Sequence, residues 1–65
     1  MPPMAAYRIF KLNEDGHIVG VCECSYDGDA HVLGAAMDLL AGEGGGVAAV
    51  EAWRGATMIL ALARA

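Results

Sequence analysis

Sixty-five residues and 6.7 kDa leave room for one domain, and a chain this short hides only roughly 60% of its unfolded surface, so hydrophobic gain and conformational entropy nearly balance. With 57% hydrophobic residues, 18% charged residues and a mean hydropathy of +0.45, the composition excludes an intrinsically disordered chain. The net charge is −4 with a pI near 4.7, and the basic residues Arg8, Lys11, Arg54 and Arg64 are scattered, so neither a nucleic-acid nor a membrane partner is expected.

Met1-Pro2-Pro3-Met4-Ala5-Ala6 has neither the basic nor the apolar region of a signal peptide. It reads as a mobile segment, residues 1–6, ahead of a single domain over 7–65, and the expected compartment is cytoplasmic, with Cys22 and Cys24 as thiols. The apolar run from Ala56 to Ala63 is far shorter than the roughly 20 residues needed to cross a bilayer.

Tyr7 to Leu12 and His17 to Cys24 are strand-like runs separated by Asn13-Glu14-Asp15-Gly16, which is a hairpin pattern. Two turns fit: a two-residue turn at Asp15-Gly16, or a type I turn over Asn13 to Gly16 with Gly16 at positive φ in a bulge. Asp27 or Asp29 then serves as the cap of a helix from about Asp29 to Ala41. At 100° per residue, Ala30, Leu33, Ala36, Met37 and Leu40 form its core stripe, widened by Val32 and Leu39. Gly42 is the expected left-handed terminator, and Gly44-Gly45-Gly46 a flexible connection.

Val47 to Trp53 reads as a third strand, Arg54-Gly55 as a tight turn and Thr57 to Leu62 as a fourth strand. A single helix over Ala48 to Ala65 competes, but Gly55 interrupts it and Thr57 and Ile59 are β-branched. The expected fold is therefore α+β: a ββαββ order with an antiparallel sheet of about four strands and one helix on one face. Tyr7-Arg8-Ile9, Asn13 to Ile18, the capped helix and Val50 to Ala56 together resemble a group of very small uncharacterised bacterial proteins of hairpin, helix, hairpin order. That resemblance implies the fold and carries no activity.

Local chemistry is sparse. Cys22 and Cys24 alternate onto one strand face and, with His17 or His31, form the pattern of a small metal or ligand carrier, yet two thiols do not close a zinc site and free cysteine is commonly a buried hydrophobe. The glycine run follows a helix, which suits helix termination better than a phosphate loop. No nucleophile stands with its base at helical or strand spacing, so no enzyme, metal or cofactor is expected.

What stands out is an apolar surplus. One helix covers one face of a four-stranded sheet, whereas every expected strand offers apolar groups to both faces. The leading expectation is a non-enzymatic interaction module, a homodimer or a complex with another protein, using Phe10, Val21, Trp53, Met58 and Leu60.

Overall fold

In the computed structural model, residues 4–42 and 46–64 are described. Strands β1 (Ala5–Leu12) and β2 (Ile18–Tyr26) form a hairpin, helix α1 (Asp29–Gly42) follows, and β3 (Ala49–Arg54) and β4 (Thr57–Ala63) form a second hairpin. The four strands make one antiparallel sheet in the order β2-β1-β3-β4, so the two hairpins join through their first strands. This is the α+β, ββαββ fold expected from the sequence. Gly44-Gly45 and residues 1–3 lie outside the described residues.

The first turn is the four-residue alternative. The amide of Gly16 donates to the Asn13 carbonyl at 3.0 Å, Gly16 has φ of 82°, and the Asn13 side chain accepts from the amides of Asp15 and His17, both at 3.0 Å. That asparagine oxygen supplies the acceptor the turn's own backbone cannot. The second turn is Gly55-Ala56, one residue later than the Arg54-Gly55 read from the sequence, with Gly55 at φ of 60° and Arg54 paired with Thr57.

Strand alternation sorts the sheet. Tyr7 and Ile9 on β1 and Val50 and Ala52 on β3 point to the helix side, where they join Val32, Ala36 and Val47 in the buried core. Cys22, Cys24 and Tyr26 on β2 and Leu60 and Leu62 on β4 pack around that core. The helix lies mainly over β3 and β4.

Three further expectations are corrected. Ala5 and Ala6 are not part of a mobile segment; they begin β1, opposite Tyr26 and Ser25, because their backbone completes the hairpin ladder. Gly42 ends the helix without positive φ; among the described residues only Gly16 and Gly55 have it. Arg64 serves that helix end, its guanidinium donating to the Leu40 carbonyl while its Nε donates to the Val47 carbonyl at 2.7 Å beyond the helix.

The third correction is the roll of the helix. Val32 and Ala36 are buried, with Ala35, Leu39 and Leu40 beside them, whereas Leu33 and Met37 are 45% and 55% exposed. The helix is apolar around most of its circumference, so periodicity alone does not single out a face. Its roll is set by Asp29, which is tied to the sheet through Tyr7 and Arg54. Val32 and Ala36, three and seven positions later, follow Asp29 onto the same side.

Candidate interaction surface

The face of the sheet opposite the helix is built by the alternate residues of each strand. Cross-strand register sets Phe10 between Val21 and Glu51, Arg8 between Glu23 and Trp53, and Trp53 against Met58. Val21 and Met58 are 52% and 50% exposed, and Phe10 and Trp53 are partly buried against their neighbours. Ile18, opposite Leu12, extends the apolar strip toward the first turn. Arg8, Phe10, Trp53, Gly55 and Ala56 line a concavity on this side.

Phe10, Val21, Trp53 and Met58 are thus brought together on one face. Leu60 is not: it stands opposite the buried Ala52 and packs against the core on the helix side. A register shift between Ala52 and Trp53 leaves Ile59 as the extra residue on β4, and that bulge breaks the strict alternation which would have kept Met58 and Leu60 together. Bulges of this kind have no signature in a run such as Thr57-Met58-Ile59-Leu60.

The charged side chains of the open face make contacts within it. Arg8 Nε lies 3.4 Å from Glu23 Oε1, and Trp53 Nε1 donates to Glu51 Oε1 at 3.3 Å. The apolar strip therefore runs between polar groups that already have partners.

On the helix side, Tyr7, Asp29 and Arg54 form the main polar cluster. The Tyr7 hydroxyl donates to Asp29 Oδ1 at 2.6 Å, and Arg54 Nη1 reaches both Asp29 oxygens at 2.8 and 2.9 Å. The Tyr7 hydrogen bond, helped by Arg54, holds the Asp29 carboxyl below the usual carboxylate value. The same bond, with burial of the ring, pushes the Tyr7 hydroxyl up. Both carboxylate oxygens and the hydroxyl are engaged inside the cluster, which fits a tether for the helix. His31 pairs with Asp27 at 2.9 Å one turn away and stacks on Tyr26. The aspartates thus hold side chains as well as standing at a helix start.

Cys22 and Cys24 share the helix side of β2, opposite Ile9 and Tyr7. Burial pushes the Cys24 thiol up, against the thiolate that metal binding or redox chemistry needs. Among the described residues no three His, Cys, Asp or Glu side chains gather in a group able to hold a metal ion. No described helix is long and apolar enough to cross a membrane.

Comparison with protein-family models, with curated proteins and with solved structures found no match to this chain.

Proposed function

We propose that this protein is a non-enzymatic interaction module whose open sheet face binds a second copy of the same chain. The observation that carries the reading is the strip Phe10, Val21, Trp53 and Met58, large apolar groups gathered on the face the helix does not cover. A face-to-face pair under two-fold symmetry sets the same strip against itself. The polar groups flanking it already make contacts within each copy, Arg8 with Glu23 and Trp53 Nε1 with Glu51. Burial of this surface also offsets the marginal stability of so short a chain.

Size sets the expected strength. Four strands about 4.8 Å apart, crossed by the six residues of β3 at about 3.4 Å each, give a face of roughly 400 Å². Two such faces hide on the order of 800 Å², below the ~1,200 Å² of a standard interface, so the association is expected to be about micromolar or weaker.

The test is sedimentation equilibrium over a concentration series on the full chain and on Val21→Asp and Met58→Asp. Both side chains are half exposed, so the fold tolerates the change. A mass that rises with concentration in the parent chain and falls back in both variants supports the reading. Variants that associate as the parent does, or a parent that stays monomeric at millimolar concentration, would sink it.

A further inference from the structure

β4 is an edge strand, and its seven residues Thr57-Met58-Ile59-Leu60-Ala61-Leu62-Ala63 contain no charge, no proline and no glycine. Natural edges are usually blunted by such residues. The other edge, β2, carries Glu23 and Gly20. The Ile59 bulge interrupts the ladder in the first half of β4, but Leu60 to Ala63 run in regular register against Ala52 to Ala49, and no described strand pairs with their outward backbone.

Beside this half of the strand runs an apolar groove of about 500 Å³, lined by Met37, Leu40 and Ala41 of α1 and by Leu62, Ala63 and Arg64. Leu33, one turn before Met37 on the same flank, extends it. These are the helix residues that the sequence assigns to the core and that the structure leaves outside. The helix's acidic Asp38 is the residue after Met37 and so stands about 100° further round the helix.

We propose that this rim, β4 together with the Leu33 and Met37 flank of α1, is a second interface that pairs with the same rim of another copy. Antiparallel strand pairing about a two-fold axis normal to the sheet is self-complementary, so Leu60 to Ala63 of two copies would hydrogen-bond to each other. The same axis sets the helices side by side on one face. With strands about 4.8 Å apart and each helix seated over the β3 and β4 pair, the helix axes fall about 10 Å apart, a normal packing distance. One symmetry operation thus covers the bare strand edge and the exposed Leu33 and Met37 together.

A second copy is favoured because the edge is self-complementary under this axis, and charge does not oppose it. Each molecule carries −4 overall, yet Thr57 to Ala63 and the flank residues Leu33, Met37 and Ala41 are uncharged, and Arg64 at the end of the strip donates to the Leu40 and Val47 carbonyls of its own chain, so two copies meet along a strip that carries none of their acidic residues. The axis normal to the sheet is perpendicular to the one that relates two open faces. Where both contacts form about axes that intersect, the product is a closed tetramer of two eight-stranded sheets stacked face to face; this tetramer rests on the open-face reading, whereas the rim contact stands without it.

Sedimentation equilibrium on the full chain, on Leu33→Glu/Met37→Glu and on Val21→Asp, whose strand β2 is the opposite edge of the sheet, separates the two interfaces, with amide exchange of Leu60 to Ala63 as a second readout. The expected result is a tetramer that each variant halves in mass, with exchange at Leu60 to Ala63 slowing as concentration rises in the parent and in Val21→Asp only. A rim variant that becomes monomeric while Val21→Asp matches a dimeric parent supports the rim and removes the open face. A rim variant indistinguishable from the parent, or a parent that remains monomeric, overturns the proposal.

Discussion

The hydroxyl of Tyr7 and the carboxylate of Asp29, 22 residues apart in the chain, meet at 2.6 Å and fasten the first turn of α1 to the central strand β1. Arg54 closes the same contact from the end of β3, so three elements converge on one carboxylate.

That contact makes stability depend on pH at both ends. Asp29 is held below its ordinary value of 3.8, so its contribution is complete above that value and is lost as pH falls through the lower folded one. Tyr7 is held above its ordinary value of 10.0, so its contribution is complete below 10.0 and is lost as pH rises through the higher folded one. A plateau between these limits is expected in thermal melts. In Tyr7→Phe the Asp29 carboxyl, followed by NMR titration, moves up toward 3.8 and the acid limb becomes shallower; an unchanged Asp29 titration would show that the hydroxyl is not what holds it.

Ile9 is fully buried at the centre of the core, so removing one methyl costs both transfer energy and packing. Ile9→Val is expected to lower unfolding free energy by about 0.5–1.5 kcal/mol and Ile9→Ala by about 2–5 kcal/mol. The larger figure matches the whole stability of many domains this size. Chemical denaturation of the first variant and circular dichroism of the second check the pair, and a folded Ile9→Ala with an unchanged midpoint contradicts the placement of Ile9.

Glycines divide by conformation. Gly34 sits inside α1 with nothing within 4 Å of an added Cβ and without positive φ, so Gly34→Ala is expected to stabilise by about 1 kcal/mol. Gly16 and Gly55 have equally open surroundings but positive φ, so alanine there is expected to cost about 1 kcal/mol or more. Opposite signs in three denaturation curves are the outcome sought; a stabilising Gly16→Ala would show that the first turn is not of this type.

Trp53 is the protein's sole tryptophan and lies on the open face. Its emission is expected to move to shorter wavelength as concentration rises, and to lose that dependence in Val21→Asp. An emission maximum indifferent to concentration while the mass changes would place Trp53 outside the interface.

Cys24 should react slowly. Burial pushes its thiol above the ordinary value of 9.0, so little thiolate exists near neutral pH, and alkylation in the folded protein is expected to lag well behind a free thiol and to catch up in denaturant. Equal rates in both conditions contradict the burial.

Local chemistry wrote the first hairpin, the helix span and the second hairpin into the chain. Asn13 to Gly16 can make few other structures, Gly55 interrupts any helix through Ala56, and β-branched residues flank both. The surplus of apolar groups over what one helix can cover was also legible, since it follows from composition and strand alternation. Which groups form that surplus was not. The helix is greasy on nearly every side, so its roll awaited a carboxylate bound 22 residues away by Tyr7, and that roll turned Leu33 and Met37 outward. Likewise, the Ile59 bulge that parts Met58 from Leu60 exists only because two strands pair. Turns and periodicities arise from neighbours along the chain, whereas roll and register are settled between elements that meet only after folding.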